Sequence, residues 1–191
     1  MSNDITSAVR PAIVMTILFA LLLGLAYPLA LTGIGQAIFP NQANGSLIAE
    51  KGKVIGSTVV GQAFTGDRYF HTRPSAAGKG YDGLASSGSN LGPTAQPLVD
   101  RVKADVATAK TSAPGTLVPA DLVTASASGL DPDLSPEAAL FQVPRIAKVR
   151  GLPVEKVRAL VMDTIDHPLL GFIGEERVNV LALNRALDAL R

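Results

Sequence analysis

At 191 residues, with 17 basic against 16 acidic side chains and a net charge of +1, the chain lacks the clustered cationic excess of a nucleic-acid binder. It contains no cysteine, which excludes a disulfide framework and any thiolate metal site in whatever compartment the protein occupies. The length accommodates one membrane span and one compact domain but not a second domain. Much of the 47% hydrophobic content sits in one stretch, because no charged residue falls between Arg10 and Glu50.

That stretch predicts a transmembrane helix over residues 11–31, preceded by a short cytoplasmic N-terminus, residues 1–10. Ala12 to Leu31 reads AIVMTILFALLLGLAYPLAL, and at about 1.5 Å per residue a run of this length matches the roughly 30 Å hydrocarbon core of a bilayer. Pro28 falls in the last turns, and Tyr27 suits the interfacial aromatic belt. Gly24, Ala26 and Ala30 are small residues at which another helix can approach. The alternative is a cleaved signal peptide, with Gly35-Gln36-Ala37 as the best-placed site. It requires a shorter apolar run, about 7–15 residues, and a more basic start than Arg10 alone provides. Arg10 and the α-amine flank one end of the span and an uncharged stretch the other, so the positive-inside tendency leaves the N-terminus in the cytoplasm and turns the domain outward.

Residues 32–52 read as a connection rich in turn formers, with Pro40, Asn41, Asn44 and Gly45, and residues 53–191 as the soluble domain. Val54 to Val60 is a β-branched run and predicts a strand. From His71 to Pro93 there is no helical or strand period; a loop of that length is functional or disordered, and Tyr69, Phe70, Tyr81 and Leu91 are there to pin it to a surface. Thr94 is placed to cap a helix carrying Leu98, Val102 and Val106 on one face and ending before Pro114-Gly115. The run from Leu117 to Ala125 reads as either a strand or a turn of helix. Ser135-Pro136 starts a further helix, which Pro144 should kink or split. After Gly151-Leu-Pro153 comes a helix lined by Val154, Val157, Leu160, Val161 and Ile165. Asn179 caps the last one, with Val180, Leu183, Leu187 and Leu190 inward and Arg185 and Asp188 outward. The expected fold is α+β: one N-terminal transmembrane helix, then one compact mixed domain with a helical C-terminal half.

Common catalytic and binding motifs fail on particular residues. Gly78-Lys79 is followed by Gly80 where a phosphate-cradling loop needs Ser or Thr, and Arg73 stands where its first glycine belongs. Asp131-Pro-Asp133-Leu-Ser135 imitates the opening of a calcium loop, but Pro136 replaces its glycine and Gln142 its bidentate glutamate. No serine sits at the centre of a nucleophile elbow. His71 and His167 are the only histidines, too few for a histidine zinc site, and His71 reads as a hydrogen-bonded structural residue beside Phe70. There is no D-K-T-G phosphorylation segment and no T-V-G-Y-G filter, so the chain is neither the motor nor the pore of an ion pump. No metal or organic cofactor is indicated. The classes left are an accessory subunit of a membrane pump, an anchored envelope solute-binding module, and an anchored hydrolase.

Several blocks, in order, carry a resemblance. They are Gly61-Gln-Ala-Phe64-Thr, Tyr69-Phe70-His71-Thr-Arg73-Pro74-Ser75, Ser87-Gly-Ser89-Asn90-Leu91-Gly92-Pro93, Val118-Pro119 through Asp131, Ser135-Pro136 through Arg145, and Arg177-Val-Asn179 through Asn184. With the N-terminal span included, the whole chain resembles the KdpC family, the accessory chains of the Kdp potassium-transporting ATPase. The resemblance implies a non-catalytic accessory subunit of an ATP-driven potassium uptake complex in the bacterial inner membrane. It implies as partners a potassium-conducting subunit and an ATP-hydrolysing subunit, with ATP bound jointly with the latter, and the role of a catalytic chaperone that raises ATP affinity. An outward domain can influence cytoplasmic ATP only by coupling through the span; an inward one can touch it. For direct contact the candidate is the amide of Gln142, against the alternative of a helix-surface glutamine. For docking on a partner the candidates are Tyr69, Phe70, His71, Arg73 and Asn90, against the alternative that they fold the loop onto its own domain.

Overall fold

A computed structural model describes the backbone of residues 2–190 and the side chains of 6–190; Met1 and Arg191, at the ends of the expected terminal segment and domain, lie outside the described residues. The chain divides into two compact units, Met1–Leu47 and Ile48–Arg191.

The first unit is one long helix with a defect. Helix α1 (Ser2–Leu21) passes through a π-helical turn (Leu22–Ala26) into α2 (Tyr27–Ile38), so residues 2–10 belong to the helix rather than to a separate tail. Thr6–Ile38 is the one described helix long and apolar enough to cross a membrane, and its apolar side chains lie exposed. The π turn has a local cause. Pro28 has no N–H to give the preceding turn, and one widened turn ahead of it, closed by Tyr27 N–H on Leu22 O, takes up the mismatch without breaking the helix. In hydrocarbon an open backbone is far more costly than in water, which favours a bulge over a break. The same cost carries the helix through Gly33 and Gly35, past the expected start of the connecting segment. It stops at Phe39, whose φ of −129° and ψ of 57° reflect the restriction imposed by Pro40. A single turn, α3 (Pro40–Ala43), follows, with the Asn44 and Gln36 amides bonded to each other at 3.1 and 3.3 Å.

At the start of the second unit, β1 (Leu47–Glu50) and β2 (Lys53–Ser57) form a hairpin about Lys51-Gly52, both at positive φ (51° and 78°). The expected strand from Val54 to Val60 is cut short because Ser57 Oγ accepts the Val59 N–H at 3.2 Å and turns the chain back on Val60. Residues 61–95 then run without helix or strand. Helix α4 (Gln96–Ser112) does not use Thr94 as its cap. The backbone turns there instead, Ala95 N–H bonding Gly92 O at 3.0 Å, and Pro97 occupies the first helical turn, where its missing N–H costs nothing. The ambiguous run after Leu117 resolves as a 3₁₀ turn, Ala120–Leu122.

The C-terminal half holds β3 (Asp133–Leu134), α5 (Pro136–Arg150), α6 (Val154–Asp163), β4 (Ile165–Asp166), β5 (Arg177–Asn179) and α7 (Val180–Ala189). Both expected caps are made: Ser135 Oγ accepts Ala138 N–H at 3.2 Å, and Asn179 Oδ1 accepts Ala182 N–H at 3.1 Å. Pro144 does not split α5, because Phe141 and Val143 before it and Ile146 and Ala147 after it are all buried, and that packing keeps the helix continuous through an exposed proline. Helix α6 ends two residues before Ile165, which pairs with Val178 in a three-stranded antiparallel sheet of order β3-β5-β4; this sheet has no counterpart among the expected elements. One core joins α5, α6, α7, this sheet and Phe70 from the long loop. Leu187 is fully buried in it, so Leu187→Ala should cost about 2–5 kcal/mol in urea unfolding of the detergent-solubilised chain, whereas exposed Arg158→Ala should leave the midpoint almost unchanged.

Candidate functional site

Most of the expected site residues, Asn90 excepted, converge where the long loop crosses α5 and α7. Phe70 is completely buried, and its backbone is gripped on both sides by Asn184 of α7: Phe70 N–H donates to Asn184 Oδ1 at 2.8 Å, and Asn184 Nδ2 donates to Phe70 O at 3.0 Å. The next residue is held the same way from α5. His71 N–H donates to Gln142 Oε1 at 2.8 Å, and Gln142 Nε2 returns a bond to His71 O at 3.0 Å. Two side-chain amides thus replace a neighbouring β-strand for two consecutive residues of an otherwise irregular segment.

Gln142 is 5% exposed, so it is not a helix-surface glutamine. Its second amide hydrogen goes to Ala138 O at 3.3 Å and its second oxygen lone pair to Arg145 Nη2 at 2.8 Å. All four bonds an amide can make are therefore made within the chain. The geometry gives Gln142 a fastening role and leaves its side chain no spare group for a nucleotide.

Arg145 extends the clamp, donating to Tyr69 O at 3.0 Å and to Asp67 O. Tyr69 is half-buried between guanidinium groups, with Arg150 Cζ 5.0 Å and Arg68 Cζ 5.6 Å from its ring centroid, and its hydroxyl donates to Asp188 at 3.1 Å. Asp188 also takes Arg150 at 2.7 Å. Arg73, half-buried, pairs with Asp131 at 2.8 Å and reaches the Thr124 hydroxyl at 3.3 Å. Farther along, Ser75 Oγ donates to Gly129 O at 2.6 Å and accepts from Tyr81 N–H at 2.8 Å. Gly129 has a φ of +66°, and a Cβ there would stand 2.6 Å from the Ala77 nitrogen, so only glycine lets these two segments meet.

Of the five docking candidates, Tyr69, Phe70, His71 and Arg73 are brought together and engaged largely with their own domain. Phe70 offers no side-chain surface at all, which corrects its expected docking role: its ring completes the core. Asn90 is exposed, holds a φ of 51°, and shares no hydrogen bond with the other four among the described residues. Beside the clamp lies an open cleft of about 470 Å³, lined among others by His71, Arg73, Arg145 and Thr108. Asn184, Arg145 and Arg150 were not expected. Asn184 carried a signal, as a lone amide on the face that Val180, Leu183 and Leu187 make apolar; the arginines, with Lys148 between them in an ordinary basic stretch of helix, carried none.

The His71 ring makes a 3.1 Å hydrogen bond with Gly66 O. Burial, and next the Arg145 charge, pull its pKa below the ordinary 6.5, outweighing that carbonyl and Asp67.

The match to known proteins runs nearly end to end. A family profile described as K+-transporting ATPase, c chain, fits residues 9–189. The chain belongs to this KdpC family. A Potassium-transporting ATPase KdpC subunit of Caulobacter vibrioides (strain NA1000 / CB15N) is 60% identical over 184 residues, covering 96% of this chain and 93% of the relative. Proteins of the same name from Rhodopseudomonas palustris (strain BisB18) and Methylobacterium nodulans are 56% and 57% identical, over 96% and 95% of this chain and 98% and 96% of theirs. A KdpC-family chain is one subunit of a potassium-transporting ATPase, not its catalytic chain, and the apolar helix makes this one a single-pass membrane protein.

Two outcomes test the clamp. Gln142→Ala strips two backbone groups of His71 and one guanidinium of their partner, and should lower stability by about 1–3 kcal/mol in chemical unfolding. Below pH 6.5 the unfolded chain takes up a proton that folded His71 resists, so stability should fall as pH drops from 6.5 towards the lowered folded value. His71→Gln should flatten the difference between unfolding midpoints measured on either side of that window.

Proposed function

We propose that this chain is the accessory subunit of a high-affinity potassium uptake pump in the bacterial inner membrane, holding a folded domain on the outer face against the potassium-conducting subunit. The match over residues 9–189, joined to a helix whose apolar side chains lie exposed, carries this reading. Topology follows from charge: Arg10 is the only charged side chain within Thr6–Ile38 and lies near its N-terminal end, which favours a cytoplasmic N-terminus.

A catalytic-chaperone role, raising the ATP affinity of the hydrolysing subunit, then operates as a coupling free energy rather than as a shared nucleotide site. Saturation of the Gln142 amide supports coupling over contact. The domain stabilises one arrangement of the conducting subunit, and that arrangement favours nucleotide on the opposite face of the membrane. A factor of about 5–150 in affinity corresponds to the 1–3 kcal/mol typical of such coupling.

From cells grown at limiting potassium, the tagged chain extracted in mild detergent should bring down an ion-conducting chain and a P-type ATPase chain in fixed ratio, identified by mass spectrometry. Removing it from the complex should raise the ATP concentration needed for half-maximal hydrolysis. Recovery of the chain alone would overturn the subunit reading; unchanged ATP dependence would overturn the chaperone role.

A further inference from the structure

The connection between β4 and β5 is a finger of apolar side chains that the described residues leave largely exposed. Leu169, Leu170, Phe172 and Ile173 are 69%, 75%, 76% and 52% exposed, and no charged residue falls from Pro168 to Gly174. The segment is nonetheless ordered by its own backbone: Leu169 N–H bonds Ile173 O at 3.1 Å, Ile173 N–H bonds Leu169 O at 3.0 Å, and Gly171 N–H bonds Pro168 O at 3.0 Å. At its tip Leu170 has a φ of 56°, a conformation that glycine or asparagine would adopt with less strain. A bulky apolar residue kept at a strained, solvent-facing turn has no role in the fold's own stability. Four such side chains together form the patch that marks an interaction site.

Charge at the base of the finger decides between occupants. Asp166, Glu175 and Glu176 surround it, with Arg177 beside them. Arg177 already faces Asp133 at 3.5 Å and Asp166 at 3.6 Å, and Glu176 lies 2.8 Å from His167 Nδ1. Glu175 is exposed and has no ion-pair partner among the described residues. An acidic collar repels anionic lipid headgroups, so insertion into the bilayer is disfavoured; it complements a polypeptide surface in which an apolar socket is rimmed by lysine or arginine.

We infer that residues 168–174 are a docking knob that seats in a basic-rimmed apolar socket on another chain of the potassium-transporting complex. This rests on the subunit reading above. It moves the docking surface from the Tyr69 to Arg73 segment, which the domain uses to close itself, to a segment whose side chains are free. A rigid knob meets its socket with little ordering cost, and exposed Leu and Phe at its centre form the part of the contact most fully dried on binding.

The test uses the full chain expressed with its complex. Leu170→Ser combined with Phe172→Ser should leave the thermal unfolding of the chain unchanged and lower recovery of the partner chains by about tenfold or more. Glu175→Lys should weaken recovery further as ionic strength is lowered, since a basic rim then faces a new cation; a lipid site would instead gain from that change. A benzophenone amino acid in place of Phe172 should crosslink to a polypeptide. If the unaltered chain brings down its partners and the double variant does so equally well, or if position 172 labels lipid alone, the knob is overturned while the subunit reading stands. If the unaltered chain brings down no partner, the subunit reading fails and takes the knob with it.

Discussion

The domain depends on two amide side chains standing in for a missing strand. A chain that runs through residues 61–95 in neither helix nor sheet must still satisfy the backbone groups it buries, and at Phe70 and His71 it does so with Asn184 and Gln142, each offering one donor and one acceptor in the spacing a peptide would. Once those four bonds hold the backbone, Phe70 enters the core, Arg145 and Arg150 close on the carbonyls and ring just before it, and Arg73 meets Asp131 just after. Remove the amides and the buried backbone is desolvated with nothing in return.

That constraint explains which parts of the architecture were legible in the sequence. The spanning helix, the caps at Ser135 and Asn179 and the inward face of α7 follow from local rules, because each rests on hydropathy or on a hydrogen bond to a residue three positions away; of the expected face of α6, Val157 and Val161 are buried but Val154 is exposed and Ile165 lies in β4. What resisted local reading was decided at a distance. The sheet of β3, β5 and β4 is made of two- and three-residue strands, too short to show a period, and is completed by the pairing of Asp133 with Asn179, 46 residues apart. Pro144 looked like a break, but packing on both flanks overrode it. The π turn before Pro28 answers to the proline and the lipid together.

The site was legible in location more than in role. Periodicity failed from His71 onward, and that failure located the loop; the family blocks fell on the same residues. Nothing local, however, separates a tyrosine or arginine that faces a partner from one that faces its own domain. Tyr69 and Arg73 are interface-type residues by composition and intramolecular by geometry. The apolar finger shows the converse: Leu-Leu-Gly-Phe-Ile has the composition of a core segment and is largely exposed.

The separation between the gripping residues has a temporal meaning. Phe70 waits for Asn184, 114 residues later, and at roughly 5–20 residues per second the ribosome needs on the order of ten seconds to supply it. Throughout that interval the glycine-rich loop lacks the two bonds that Asn184 gives it. A chain cut short before α7 lacks those bonds and the core positions of Leu183 and Leu187. In this fold the long loop is therefore among the last segments that synthesis allows to close.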